Sequence, residues 1–509
     1  MLIFSPQKWP FAAQAMFAFI LGAISVLAFA PFELGLFSLF ALTFLLHLLW
    51  FTNSVRRAAL LGFFFGLGLM GFGVFWLRIS IGQFGGVVPA LAVAITLLLV
   101  FIMALYFALA AWLSSHLKGR HSKSIFMLVI FPACWVLLEW LRATLFSGFP
   151  WLSMGYSQLD QPLAGFAPVV GTYGVGFLLV FSAGLLNVWR LLWPPVLFAC
   201  LWVAGLGLSW ASWTEATGEP IKVSLLQANI AQEDKWKRDM LQPTLALYQS
   251  MTEQARDSDL VIWPETAIPA FDSQVEESLL QPLHQMLVAE NRDLLSGIVI
   301  QKVDGRYYNA MLSLGISGRE SYLKRHLVPF GEFLPLKSLL DPVLDFLQIP
   351  MSNFAVGEDN PPLIKLAGQV AGINICYEDA FATDVMRALP EATFLINASN
   401  DAWFGDSLAP HQHLQIARMR ALETGRYLLR ATNTGVSAII DHRGEVRGSI
   451  PQFTQASLTD RIQPRQGMTP YAISGDWLVL LLSGLMLLGT VLLGRSGTKV
   501  GVTLDKAHP

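Results

Sequence analysis

A chain of 509 residues with 54% hydrophobic and only 14% charged residues is too apolar for a soluble enzyme, which carries about a quarter charged residues. Its net charge of −2 implies no broad basic surface, which excludes nucleic acid as a partner. The excess apolar content points to a lipid bilayer.

The apolar residues come in runs. A spanning helix needs about 20 mostly apolar residues, and such runs are predicted at 11–31, 35–51, 58–77, 87–113, 125–145, 162–189, 193–211 and 477–494. Residues 212–476 hold no such run and carry most of the acids and bases. The chain therefore reads as a membrane domain of seven helices (1–211), a polar domain (212–476) and an eighth helix with a tail (477–509). Lys and Arg in short loops set orientation. With the N-terminus inside, one side receives Lys8, Arg56, Arg57, Lys118, Arg120, Lys123, Arg190, Arg495 and Lys499, and the other receives Arg78 and Arg142. That bias puts residues 212–476 outside, which in a bacterium is the periplasmic face of the inner membrane. The first run lacks a small-residue cleavage site and reads as a retained anchor. Glu139 and Arg142 are spaced to pair on one helical face at the outer end of the fifth run.

Within the polar domain, strand-like runs alternate with helical ones. "IKVSLLQANI" (221–230) reads as a buried strand, and "LVIWPETAIP" (260–269) as a strand ending in a turn at Pro264. "RDLLSGIVI", "YYNAMLSLG", "QVAGINICYED", "ATFLINASND" and "VSAIIDHRGEV" continue the series, while "LQPTLALYQSMTEQAR" and "HQHLQIARMRALETGRYLL" have helical spacing. The alternation predicts a layered α/β domain. Residues 338–362 have no clear period yet carry Phe346, Leu347, Ile349 and Phe354. They are either packing anchors or a lid over an acyl chain.

Of the three cysteines, Cys134 and Cys200 lie in apolar runs, where a small hydrophobic role suffices. Cys376 stands alone in the polar domain and cannot form a disulfide within it. A lone thiol in an oxidising compartment calls for a function. Glu265, Lys324 and Cys376 each follow a predicted strand, where α/β folds gather reactive groups. A thiol nucleophile needs a base or a positive neighbour. Glu265 could take its proton, and Lys324 with the Tyr377 backbone N–H could hold charge on a carbonyl oxygen. Each residue alone has an ordinary alternative: inert thiol, surface carboxylate, solvated lysine. His411 and His413 have a spacing that could serve a metal, but no acidic or cysteine partner is evident near them in the sequence, and hydrogen-bonding histidines are expected.

The stretches "WPETAIP", "YLKRHLVPFGEFLP" and "GINICYED" resemble the Glu-Lys-Cys signature of the nitrilase superfamily. Joined to eight apolar runs, and with "NASNDAWFGDS", "RATNTGVSAIIDHRG", "FPWLSMGYSQ" and "YGVGF", they resemble one family within it, apolipoprotein N-acyltransferase, over nearly the whole chain. The resemblance implies a nitrilase-like αββα sandwich on an eight-span membrane domain. It implies Glu265 as general base, Lys324 as oxyanion partner and Cys376 as nucleophile. Glu332 matches a supporting carboxylate, Tyr377 and Glu378 help shape the site, and Trp236 lies on the substrate side, with Phe346 and Leu347 as further substrate contacts. No metal or cofactor is implied. The implied donor is a phospholipid, the sn-1 chain of phosphatidylethanolamine. The implied acceptor is the α-amine of an S-diacylglyceryl-cysteine at an apolipoprotein N-terminus, and the enzyme is expected as a monomer. The rival reading is a membrane-tethered amidase acting on a small amide, for which eight spans have no purpose.

The orientation is tested by reporter fusions: one placed after Arg120 is expected to read cytoplasmic and one near residue 215 periplasmic. The reverse pair of readouts would overturn it.

Overall fold

The computed structural model describes residues 6–119, 121–329, 331–333 and 353–496. Phe346, Leu347 and Ile349, and with them most of the expected lid, lie outside the described residues. The chain divides into two compact units, one of residues 1–75, 96–211 and 474–509, the other of residues 76–95 and 212–473.

Among the described residues, five helices are long and apolar enough to cross a membrane: Phe11–Ala28, Val55–Gly73, Pro89–Lys118, Lys123–Ser147 and Pro162–Asn187. Leu36–Phe51, Trp193–Leu208 and Trp477–Leu493 are apolar but shorter. At 1.5 Å per residue a 16-residue helix such as Leu36–Phe51 reaches about 24 Å, short of the ~30 Å hydrocarbon thickness. Of the eight expected runs, five thus meet the length for a span and three form shorter helices at the expected places. Lipid offers no hydrophobic drive for helices to associate, so small residues that admit close backbones carry the packing. A Cβ on Gly22 would sit 2.0 Å from the Phe65 carbonyl oxygen, and one on Gly68 would sit 2.1 Å from that of Phe19. Glu139 and Arg142 do pair, at 3.9 Å, and both are buried. Most of their bonding, however, goes to the following loop. Arg142 donates to the carbonyls of Phe149 and Trp151 and to Ser153 Oγ, and Glu139 accepts from the Met154 N–H.

The second unit is a four-layer sandwich. In chain order its strands are β1 (Glu215–Ala216), β2 (Ile221–Gln227), β3 (Leu260–Ile262), β4 (Ile268–Phe271), β5 (Asp293–Gln301), β6 (Tyr307–Gly315), β7 (Ser321–Leu323), β8 (Leu363–Leu366), β9 (Gln369–Ile375), β10 (Phe394–Ser399), β11 (Leu428–Thr432), β12 (Ser437–Ile440), β13 (Val446–Ile450), β14 (Ala456–Ile462) and β15 (Arg465–Gln466). One sheet runs β14-β2-β3-β5-β6-β7, with β4 beside β5; the other runs β13-β12-β11-β10-β9-β8; β1 pairs with β15. Because strand side chains alternate faces, adjacent apolar residues serve different layers. Leu225, Leu295, Leu429 and Ile439 fill the space between the sheets. Leu226 and Leu294 face the helices Arg238–Gln254 and Gln281–Ala289. Leu428 and Ile440 face Ala382–Met386 and Ala409–Thr424.

The strands expected at 221–230, 260–269, 292–300, 307–315, 369–379, 392–401 and 436–446 are all present, though most are shorter. The helical reading of 411–429 needs correction at its end. The helix closes at Thr424, Gly425 takes a left-handed φ of 62°, and Leu428 begins β11. Glycine at this position caps a helix without a Cβ penalty, and β11 is claimed by β10 and β12 on either side. The segment after the third apolar run belongs to this unit and packs on its Asp401–Phe404 turn. Trp76 lies edge-on to Phe404 at 4.8 Å, Phe84 to Trp403 at 5.8 Å, and Ser80 Oγ donates to the Trp403 carbonyl.

Gly297 in the middle of β5 lies against the turn after β3. A Cβ there would meet Thr266 N at 2.3 Å and Pro264 O at 2.5 Å, both backbone atoms that cannot rotate away. Gly297→Ala is therefore expected to cost about 1–3 kcal/mol, read as a lower midpoint in thermal unfolding of the full chain.

Candidate active site

The turn after β3 carries Glu265, the residue after β7 is Lys324, and the residue after β9 is Cys376. Strand ends fix their side chains on the rigid body of both sheets. All three are buried.

Lys324 Nζ lies 3.3 Å from Glu265 Oε1 and 2.9 Å from Glu332 Oε1. Two carboxylates around one ammonium would repel each other without further donors. Asn309, on β6, supplies them: its amide donates to Glu265 Oε1 at 2.7 Å and to Glu332 Oε1 at 2.9 Å. Glu332 Oε2 also accepts the Val328 N–H. Burial alone would push the Lys324 ammonium toward neutrality, but the charges of Glu265 and Glu332 outweigh it and hold its pKa well above the usual lysine range. Lys324 is therefore a fixed cation at any working pH. A second lysine lies close by. Lys235 is buried and donates to the Glu265 carbonyl at 3.1 Å, and desolvation lowers its pKa to about 8 against the pull of Glu265 and Cys376.

Cys376 has φ +51°, in the left-handed region. A non-glycine residue there costs roughly 1–3 kcal/mol and persists only where its surroundings over-determine it. Asn397 Nδ2 donates to the Cys376 carbonyl at 3.0 Å, and His413 Nε2 lies 3.3 Å from the same oxygen. Burial raises the thiol's pKa, and Glu265 and Asp401 add to the rise; Lys324 and a hydrogen bond with Ser399 oppose it. The balance is well above the ordinary thiol range, so the resting sulfur keeps its proton until a base removes it.

Glu378 ties the segments bearing Lys324 and Cys376 together. Its Oε1 accepts from Tyr322 OH at 2.9 Å and from the N–H groups of Arg325 and His326, and its Oε2 accepts from the Ile375 N–H at 2.7 Å. One buried carboxylate thus joins the strand end carrying Lys324 to the strand end carrying Cys376. Burial raises its pKa against those hydrogen bonds. Tyr377 is half-buried, edge-on to His326 and Phe381. Trp236 is 42% exposed in the loop after β2, beside Lys235. The structure thus brings Glu265, Lys324, Glu332, Cys376 and Glu378 together, places Tyr377 and Trp236 nearby in sequence neighbours of that group, and leaves Phe346 and Leu347 undescribed.

Sequence reasoning missed Asn309 and the partners of His413. Acidic partners do exist: Nδ1 of His413 is 3.0 Å from Asp401 Oδ1 and Nε2 is 2.9 Å from Asp379 Oδ1. Burial and Arg430 lower its pKa, but Asp379 and Asp401 outweigh them and raise it to about 9. The motif "NASND" contained both Asn397 and Asp401, but Asp379 and Arg430 arrive from other strands.

Comparison with known proteins matches two regions of the chain, and these residues lie in the second. Residues 21–185 match the family model for the apolipoprotein N-acyltransferase N-terminal domain, and residues 222–468 match that for carbon-nitrogen hydrolase. A protein of Methylococcus capsulatus named apolipoprotein N-acyltransferase is 48% identical over 473 residues, covering 91% of this chain and 93% of the relative. One of the same name from Nitrosomonas europaea is 45% identical over 491 residues, covering 95% and 98%. Another from Azotobacter vinelandii is 40% identical over 503 residues, covering 96% of each.

Asn309→Asp would set a third carboxylate against Glu265 and Glu332 and remove their shared donor. Breaking a buried charge balance of this kind costs about 3–5 kcal/mol. The drop in thermal midpoint is expected to be largest at neutral pH and to shrink as the pH falls and the added carboxyl is protonated; Asn309→Ala, which loses the donor without adding a charge, should show the weaker pH dependence.

Proposed function

The chain belongs to the apolipoprotein N-acyltransferase family, and from that premise we propose that it carries an acyl chain from a phospholipid to the N-terminal amine of a diacylglyceryl-apolipoprotein through a thioester on Cys376. The observation that carries this reading is a buried thiol on a left-handed turn, at the strand end beside a buried lysine paired with the Glu265 carboxylate. The donor is the sn-1 chain of phosphatidylethanolamine.

The first step makes a C–S bond and breaks a C–O bond. Glu265 takes the Cys376 proton as the sulfur attacks the ester carbonyl. Negative charge gathers on the carbonyl oxygen, where Lys324 and the Tyr377 N–H lower its energy. The tetrahedral intermediate collapses, the lysophospholipid alkoxide takes the proton back from Glu265, and the acyl group stays on sulfur. In the second step the acceptor amine attacks the thioester. Glu265 takes the amine's proton, a second oxyanion forms against Lys324, and the returning sulfur recovers the proton. The products are an amide and the free thiol. Splitting the transfer in this way replaces a direct reaction between two lipids by two easier steps, and gives ping-pong kinetics.

Two roles for the lysine's partners follow. Glu332 and Asn309 hold Lys324 in place without competing for the proton that Glu265 must accept, and Glu378 keeps the nucleophile and oxyanion partner in register. Trp236 faces substrate, and Phe346 and Leu347 shelter the acyl chain. Eight membrane-associated helices, seven within residues 1–211 and one within 477–509, hold the enzyme as a monomer in the bacterial inner membrane, with residues 212–476 on the periplasmic side. Both substrates are lipids, which supports a membrane setting and disfavours a small soluble amide.

Mass spectrometry of the purified protein incubated with phospholipid is expected to show an acyl adduct on Cys376. Cys376→Ser should abolish both adduct and transfer while the protein stays folded, because a hydroxyl is far less acidic than a thiol. Lys324→Ala should slow adduct formation itself by about 10²–10³; normal accumulation of adduct in that variant would sink the oxyanion role.

A further inference from the structure

We propose that His413, held between Asp379, Asp401 and Arg430, is a positioning residue that sets the nucleophile's backbone turn by holding the Cys376 carbonyl. The inference rests on the reading of Cys376 as the nucleophile. It begins from a cluster that the acyl-transfer steps do not use. Asp379, Asp401, His413 and Arg430 are all buried, each at 1% exposure or less.

Isolated buried charges are unstable, so a buried set persists when it balances and its hydrogen bonds are satisfied. This set does both. Arg430 donates from NH2 to Asp401 Oδ2 at 2.6 Å, and its NH1 lies 3.4 Å from Asp379 Oδ2. His413 has a carboxylate oxygen on each ring nitrogen, at 2.9 and 3.0 Å. Carboxylates only accept, so both nitrogens donate, which requires the imidazolium form. Two positive and two negative groups then cancel.

Its position gives the cluster a use. Asn374, Asn397 and Arg430 sit abreast on β9, β10 and β11. Their neighbours Ile373, Ile375 and Ile396 fill the space between the sheets, so by strand alternation these polar side chains face the other way, toward the layer holding the helix with His413. Arg430 NH1 donates to Asn397 Oδ1 at 2.5 Å, and Asn397 Nδ2 donates to the Cys376 carbonyl. His413 Nε2–H, donated chiefly to Asp379 Oδ1 at 2.9 Å, shares its proton with the same carbonyl at 3.3 Å. The peptide that follows the strained Cys376 Cα is therefore gripped by two donors, both charge-coupled to Arg430 and the aspartates. Relaxing φ toward ordinary values would turn the residue about its N–Cα bond and move this carbonyl and the thiol together, so a held carbonyl resists that change. Asp401 also accepts from Ser399 Oγ, at the end of β10, at 2.7 Å.

The test uses full-length protein in detergent and reads two rate constants: alkylation of Cys376 by iodoacetamide, followed on the Cys376 peptide by mass spectrometry, and acyl-thioester formation from phospholipid. His413→Gln keeps an amide donor at the Nε2 position, next to the Cys376 carbonyl. His413→Asn keeps one only at the Nδ1 position, next to Asp401. The expected result is a fall of at least tenfold in both rate constants for His413→Asn, with recovery to within about threefold of the parent in His413→Gln. The KM for phospholipid should change less than twofold in either. Equal rate constants in the two variants, or a loss of folded protein while surviving molecules react at the parent rate, would reduce His413 to a packing residue and overturn the proposal. If neither variant folds, Gly435→Ala decides. Its Cβ would meet Asp401 Cβ at 2.5 Å and Oδ2 at 2.9 Å, displacing the carboxylate without removing a charge. It should slow both reactions, and a parent-like rate for it overturns the proposal. Cys376→Ala run in parallel separates the two readings. Adduct or turnover without the thiol refutes Cys376 as nucleophile, whereas a dead Cys376→Ala beside a fast His413→Asn refutes the positioning role alone.

Discussion

The buried ammonium of Lys324 is the constraint on which the rest of the site depends. Removing a lysine from water costs several kcal/mol in a real protein, and a single carboxylate at 3.3 Å would offset this incompletely. The chain answers with two carboxylates, which creates a new problem of mutual repulsion. Asn309 resolves it with an amide that reaches both. Two strand ends, one strand and one loop must therefore meet at one point: the turn after β3, the residue after β7, Asn309 near the start of β6, and the segment bearing Glu332. The first sheet's order, with β3, β5, β6 and β7 side by side, brings the strand-borne members of that group within reach of each other.

The same cation governs the thiol. Burial and two nearby carboxylates disfavour a thiolate at Cys376, and Lys324 is the principal charge opposing them. A resting thiolate in an oxidising compartment would be open to modification. A thiol whose proton leaves only when an electrophile is seated is protected from that fate. In the proposed acyl transfer, charge stabilisation is worth more than in water because the dielectric is low, and a fixed ammonium would need no reorganisation as an oxyanion forms.

The membrane unit shows a related logic in a different solvent. Its buried Glu139–Arg142 pair spends most of its hydrogen-bonding capacity on backbone groups of the loop 149–154. Loop carbonyls and amides in an apolar environment need partners as much as charges do. Glycines at positions 22 and 68 let backbones touch where side chains would hold them apart, so polar glue and small residues divide the work of holding the helices together.

Much of this was legible in the chain itself. Apolar runs marked the membrane helices, because hydrophobic length is a local property. Apolar runs between helical segments marked most strands of both sheets, though the start of β11 read as helix, and Glu265, Lys324 and Cys376 were conspicuous because each closes such a strand. The tertiary structure decided what those residues do to each other. Nothing in "YYNAM" announced that Asn309 would bridge two carboxylates, since Glu265 and Glu332 lie 44 and 23 positions away. His413 looked isolated because its acidic partners are 12 and 34 positions distant and reach it by way of β9 and β10. The left-handed turn at Cys376 was equally silent, because any residue prefers negative φ until tertiary hydrogen bonds hold it otherwise. Periodicity is written along the chain, whereas charge balance and strain are settled only when strands from distant segments lie in register.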